Sequence, residues 1–118
     1  MVQLSMSSDE FGRLICSIGD GKSNAVVTAA DLEEAASGLS AGLAALEDGG
    51  AGECRWPEGV GEYRWVFRRV DDQVRLAVLW STGTMTGWEH VFWGETAYPD
   101  FLTAMRREVA RVTAPASA

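Results

Sequence analysis

Between residues 63 and 80 the chain alternates twice in succession, and this pattern constrains the fold more than any other. Tyr63, Trp65 and Phe67 take turns with Arg64, Val66 and Arg68. After Asp71-Asp72, Val74, Leu76, Val78 and Trp80 take turns with Arg75, Ala77 and Leu79. A period of two marks strands whose two faces differ. A two-residue turn at Asp71-Asp72 sets Phe67 opposite Leu76, Trp65 opposite Val78 and Tyr63 opposite Trp80. Each large aromatic then meets a branched or aromatic partner on one face. Asp-Asp accepts the tight-turn backbone less readily than Asn-Gly, so a longer loop centred there is the competing arrangement.

The rest of the second half extends this sheet. A third strand over 84–93 follows a turn at Thr82-Gly83, with Trp88, His90 and Phe92 on one side and Glu89, Val91 and Trp93 on the other. Simple pairing would put Glu89 on the aromatic face, which is costly, and a bulge at Gly87 would reverse the assignment. Pro99 suits the first turn of a closing helix over 99–112. Its apolar stripe is Phe101, Leu102, Met105, Val109 and Val112, with Arg106, Arg107 and Arg111 turned outward.

The first half reads less evenly. A helix over 29–47 is predicted from Leu32, Ala35, Ala36, Leu39, Leu43 and Leu46, which form one continuous stripe. Thr28 and Asp31 have capping-box spacing, and Gly49-Gly50 ends the helix. Gly38 and Gly42 weaken helix propensity, so a close approach to the layer beneath is expected at both. Residues 1–28 admit two readings after an alternating Val2, Leu4 and Met6. Ser7 and Glu10 followed by Phe11, Leu14, Ile15 and Ile18 suit a helix. Gly19-Asp20-Gly21 between 14–18 and 25–28 suits a hairpin. The glycine-rich segment 48–61 reads as a long loop, with Trp56 either lying over the sheet edge as a lid or serving a site. Together these elements predict one α+β domain over 1–112, an antiparallel β-sheet with two helices packed on one face, and a frayed tail over 113–118.

Charge limits the partners. The formal charge of −7 lies wholly in residues 1–60, where ten acids face three bases; the remainder holds seven of each. Such a chain repels phosphate backbones, which argues against nucleic acid and anionic membranes. The N-terminus has neither the basic nor the apolar region of a secretory signal. Cys16 and Cys54, with no C-x-x-C spacing, read as two reduced thiols in a cytosolic protein, a single disulfide being the alternative. Nine of the ten bases are Arg, a skew that accords with the alanine and glycine content of a GC-rich genome as well as with recognition.

Motifs of catalysis and cofactor binding are not met. Gly21-Lys22-Ser23 resembles the end of a P-loop, but the glycine required five residues earlier is Cys16, and the residues that follow suit a strand. No cofactor is implied. His90 is the single histidine, so it cannot build a multi-histidine metal site, and no nucleophile-elbow pattern surrounds Ser81, Thr82 or Cys54. A structural role between Trp88 and Trp93, with the option of a pH-sensitive group, is the reading for His90. Glu53, Glu62, Glu89 and Glu95 carry no acid–base motif.

Two functional classes remain. The first is a non-catalytic, cytosolic protein-interaction module, either a homodimer or an immunity- or adaptor-type partner of another bacterial protein. At the level of architecture alone the chain resembles such compact sheet-and-helix proteins. Its candidate interface is the second sheet face, with Arg64, Val66, Arg68, Arg75, Ala77 and Leu79. These are joined by Trp88 and Phe92 or by Trp93, according to the register at Gly87. Arginine mixed with tryptophan and aliphatic residues is the composition of interface hot spots. Coverage of that face by residues 1–28 would remove the interface. The second class is a small-ligand-binding protein or small enzyme with an aromatic pocket around Trp56, Trp88, His90 and Trp93.

Overall fold

The computed structural model describes residues 2–82 and 87–114. The chain runs β1 (Gln3–Ser8), β2 (Leu14–Gly19), β3 (Asn24–Ala29), α1 (Leu32–Gly49), β4 (Ala51–Glu58), β5 (Gly61–Val70), β6 (Gln73–Ser81), β7 (Glu89–Ala97) and α2 (Tyr98–Thr113). The fold is α+β with antiparallel pairing throughout, but the strands divide into two sheets, β1-β2-β3 and β4-β5-β6-β7. One core lies between them. Met6, Leu14, Cys16, Ile18 and Val27 from the first sheet meet Trp56, Trp65, Phe67, Leu76 and Val78 from the second, with Leu39 and Leu43 of α1 and Phe101 and Met105 of α2 completing it.

The β5–β6 hairpin pairs as its alternation predicts, with Phe67 opposite Leu76, Trp65 opposite Val78 and Tyr63 opposite Trp80. Asp71 and Asp72 form the two-residue turn between Val70 and Gln73, and Asp71 takes φ 55°. Aspartate tolerates that region better than most residues, and the surroundings hold it there. The Arg69 guanidinium donates to the Asp71 carbonyl at 2.9 Å and lies 3.9 Å over the Tyr98 ring, while the Tyr98 N–H donates to the Asp72 carbonyl at 2.8 Å. The turn is thus clamped by the β7–α2 junction.

Residues 2–28 form the hairpin alternative, not the helix. Leu14, Cys16 and Ile18 are buried while Ser17 is exposed, a period of two, and Phe11 is 79% exposed. The Asp9 carboxylate accepts from the N–H groups of Phe11 and Arg13, which makes a turn where the helix would have begun. Asp20 does the same for Lys22 and Ser23 at 2.9 and 2.8 Å. The Lys22 and Ser23 backbone amides that a phosphate would require are therefore spent on Asp20.

Helix α1 starts three residues later than expected. Asp31 is the cap, its side chain accepting from the Glu34 N–H at 3.0 Å. Thr28 belongs to β3, and its hydroxyl donates to Glu58. Gly50 closes the helix in the left-handed conformation, with its N–H on the Leu46 carbonyl at 2.9 Å.

The long loop expected at 48–61 is mostly strand β4. Sequence propensity concealed it, because Ala51, Gly52 and Pro57 are poor strand formers. The small size of Gly52 is what the packing needs. A Cβ on Gly42 would lie 3.0 Å from the Glu53 carbonyl and 3.2 Å from the Phe67 ring, and one on Gly52 would run into the Gly42 carbonyl. Helix and strand therefore interlock backbone to backbone at Gly42 and Gly52. At Gly38 a Cβ would make only an ordinary 3.7 Å contact with Cys54, so the expected close approach is absent there. Trp56 is no lid over the sheet edge. It is a fully buried β4 residue, its ring centroid 4.9 Å from that of Trp65.

Strand β7 lies further along the chain than 84–93, of which residues 84–86 fall outside the described residues. Its bulge is at Val91, not Gly87: Phe92 pairs with Val78 and His90 with Leu79, leaving Val91 as the extra residue. Phe92 consequently faces the core and Trp93 faces out, and His90 joins the Trp93 side. Helix α2 matches its predicted stripe within one residue at either end, with one addition, the buried Glu108. Of the tail predicted over 113–118, Thr113 is helical and residues 115–118 lie outside the described residues. No helix is long and apolar enough to cross a membrane, among the described residues.

Candidate functional site: the outer face of the four-stranded sheet

The three-stranded sheet packs on the inner face of the four-stranded sheet, so among the described residues its outer face is left uncovered. The strand registers arrange that face in rows. Ala51, Arg68, Arg75 and Glu95 form one row, and Glu53, Val66, Ala77 and Trp93 the next. Arg55, Arg64, Leu79 and His90 form the third, bordered by Pro57, Glu62 and Ser81. The sequence-predicted interface residues Arg64, Val66, Arg68, Arg75 and Leu79 are thereby neighbours, and Trp93 is the aromatic that joins them.

Ion pairs order the arginines. Arg64 Nε donates to Glu53 Oε2 at 3.0 Å, Arg75 Nε to Glu95 Oε1 at 3.0 Å, and Arg55 Nη1 to Glu62 Oε1 at 3.3 Å. Exposed pairs of this kind contribute under about 1 kcal/mol each, so their effect here is to hold guanidinium planes in place. Arg64 also reaches Trp88, its Cζ 5.8 Å from the ring centroid. Arg68 has no ion-pair partner among the described residues. Trp93 is 58% exposed and Trp88 37%. Sequence reasoning had not placed Glu53, Arg55 and Glu62 on this face. The signal was present in the alternation of Glu53, Arg55 and Pro57 with Cys54 and Trp56, obscured by the flanking glycines.

A cleft of about 530 Å³ adjoins one end of the face, lined by Arg55, Pro57, Val60, Glu62 and Trp88 among others. The four residues of the aromatic-pocket reading do not converge on it. Trp88 lines the cleft, Trp56 is fully buried in the core, and His90 and Trp93 stand on the outer face.

The remaining polar clusters tie elements together. Glu58 accepts from the Thr28 hydroxyl and from Arg13, both at 2.6 Å. These contacts, the threonine's foremost, hold its carboxyl below the usual carboxylate range. Glu108 accepts from the Met6 N–H at 2.9 Å, and Arg111 donates both to Glu108 and to the Met6 carbonyl. This pair covers the open edge of β1 as a further strand would. Burial, reinforced by Glu108, pushes the Cys16 thiol up to about 12; burial and then Glu53 do the same for Cys54. Both are free and buried, so neither is a thiolate nucleophile at neutral pH. Among the described residues no three His, Cys, Asp or Glu side chains converge in a way that could hold a metal ion. Neither protein-family models, curated proteins nor solved structures give a match to this chain.

Proposed function

We propose that this chain is a non-catalytic, cytoplasmic interaction module that docks another protein chain on the outer face of β4–β7. The observation that carries this reading is the pair of exposed indoles, Trp93 and Trp88, set among four arginines on a face that no described element covers. Tryptophan and arginine are the residues most enriched among interface anchors, because each buries a large rigid surface while keeping a polar handle. The guanidinium groups of Arg64, Arg75 and Arg55 are already fixed by their glutamates, which lowers the ordering cost of binding.

Photo-crosslinking in the cells that make the protein tests the reading. A benzoylphenylalanine in place of Leu79 should give a discrete crosslinked product, whereas the same group in place of Ser17, on the outer face of the three-stranded sheet, should not. The product should also fade when Trp93→Ala is added. Absence of any product from position 79, or equal products from both positions, would remove the proposal.

A further inference from the structure

We infer that the cleft at one end of the outer face is a binding site for a free α-amino acid with an apolar side chain, a role separate from the docking of a protein partner. The cleft of about 530 Å³ is bounded by Arg55 and Pro57 of β4, the β4–β5 turn, Glu62 of β5, the end of β6 and Trp88. Small-molecule sites span about 300–1,000 Å³, so its size is suitable. Gly59, Gly61 and Gly87 line it and put no side chain into it. A Cβ on Gly59 or Gly87 would meet nothing within 4 Å.

Two features of the lining serve no purpose in the fold. One is Val60. Gly59-Val60 is the two-residue turn between Glu58 and Gly61, and such turns favour Asn, Asp or Ser after the glycine. Val60 is instead apolar and 87% exposed. The other is the Arg55–Glu62 pair. It is the longest of the three ion pairs on the outer face, 3.3 Å through a single guanidinium nitrogen, whereas Arg64 reaches Glu53 through two. Among the described residues the other N–H groups of Arg55 are left for a ligand.

Side by side, these two charges select what enters. A carboxylate that approaches Arg55 also meets Glu62, and an ammonium that approaches Glu62 also meets Arg55, so an ion of one sign is opposed by one member of the pair. A molecule with both signs at a matching spacing is opposed by neither. In an α-amino acid the ammonium nitrogen and the carboxylate oxygens lie roughly 3 Å apart by covalent geometry. The Arg55 and Glu62 atoms are 3.3 Å apart. With its carboxylate on Arg55 and its ammonium on Glu62, the amino acid closes a ring of four alternating charges. Val60, Pro57 and the half-exposed Trp88 indole remain as the apolar lining for its side chain.

Titration of the isotope-labelled full chain with L-phenylalanine, from about 0.1 to about 20 mM and followed by nuclear magnetic resonance, tests the assignment, because an open cleft binds a small ligand in the millimolar range. The Gly59, Val60 and Gly61 amides and one indole N–H should shift together and saturate. Phenylpropionate, which lacks the ammonium, and phenethylamine, which lacks the carboxylate, should each bind about fivefold more weakly. Arg55→Ala and Glu62→Gln should each weaken L-phenylalanine by a similar factor. Arg106→Ala, which breaks the ion pair with Glu47 away from the cleft, should leave binding unchanged. Val60→Ser should weaken it about threefold although serine suits the turn better. Amide dispersion verifies that each variant is folded. Absence of a saturating shift would overturn the site, and equal binding of phenylpropionate or phenethylamine would overturn the amino acid as its ligand. Undiminished binding in Arg55→Ala and Glu62→Gln, or an equal loss in Arg106→Ala, would overturn the selection by the paired charges.

Discussion

The two sheets share one core yet are built from different materials. The four-stranded sheet turns Trp56, Trp65, Phe67 and Phe92 inward and arginine, glutamate and tryptophan outward. The three-stranded sheet turns Met6, Leu14, Cys16, Ile18 and Val27 inward, and its outer face holds Ser5, Ser7, Ile15, Ser17 and Val26 with no charge among them. Aromatic rings bury the larger area per residue and pack against one another, as Trp56, Trp65, Phe67 and Phe101 do in a tilted series. The smaller sheet instead depends on polar ties at its margins: Asp9 and Asp20 in its turns, Glu58 at one flank, Glu108 with Arg111 at the other. Packing secures the first sheet; hydrogen-bonded carboxylates secure the second. The surface proposed above for a partner lies on the sheet whose stability does not depend on that surface.

The sharpest way to break this contrast is at the aromatic series. Trp65→Ala removes the ring that touches both Trp56 and Phe67 and should cost about 3–5 kcal/mol, read as a lower urea midpoint. An unchanged midpoint would mean that the inner face of β5 is not the centre of the core. Gly52→Ala tests the interlock with α1. Its Cβ would meet backbone at Gly42, which cannot yield as a side chain does, so a loss of about 1–3 kcal/mol is expected. Gly38→Ala should be neutral or slightly stabilising, because helix propensity improves and the new methyl finds ordinary contact.

The polar ties come next. Glu108→Gln exchanges a carboxylate for an amide against the Met6 N–H and weakens the Arg111 contact. A loss of about 1–3 kcal/mol is expected, with faster hydrogen exchange along β1 and little change along β5. Acid should have the same regional effect. The Arg111 hydrogen bond, foremost, holds the folded Glu108 carboxyl below its ordinary value, and the Thr28 hydroxyl does so for Glu58. Both groups therefore add stability above the ordinary carboxylate pKa and lose that contribution as pH falls through their depressed folded values. A urea midpoint that holds constant between pH 6 and pH 3 would contradict this, as would loosening confined to the four-stranded sheet.

What could be read from sequence follows the same division. The β5–β6 register was legible because aromatic alternation leaves one arrangement that buries every ring, and the α2 stripe because its period is uninterrupted. Strand β4 was hidden because Gly52 is small for the sake of Gly42, a neighbour visible only in three dimensions. Thr28 and Asp31 have the spacing of one capping box, and only the length of β3, which takes up Thr28, shows that Asp31 is itself the cap. The outer face was half legible: Arg64, Arg68, Arg75 and Leu79 follow from one hairpin. Arg55, Glu53 and the position of His90 needed β4 and the Val91 bulge.

The smallest expected effect is also the most direct comparison of the two sheets, because each holds one buried thiol. Cys16 lies in β2 and Cys54 in β4, both free, so reductant should leave the thermal midpoint unchanged. A buried thiol with its pKa raised to about 12 reacts with an aromatic disulfide reagent only when its surroundings open. Cys54 sits between Trp56 and the α1 contact at Gly38, so its exposure requires separating the aromatic core from the helix. Exposure of Cys16 requires only that the three-stranded sheet lift from that core, which its marginal ties resist less. In single-cysteine variants Cys54→Ser and Cys16→Ser, native-state labelling of Cys16 should therefore be faster than that of Cys54 by about tenfold, a difference of about 1.4 kcal/mol in opening free energy. Adding Glu108→Gln should speed Cys16 further and leave Cys54 nearly as it was. Equal rates in both variants would mean that the two sheets open as one unit, and that the contrast between packing and polar ties has no energetic boundary.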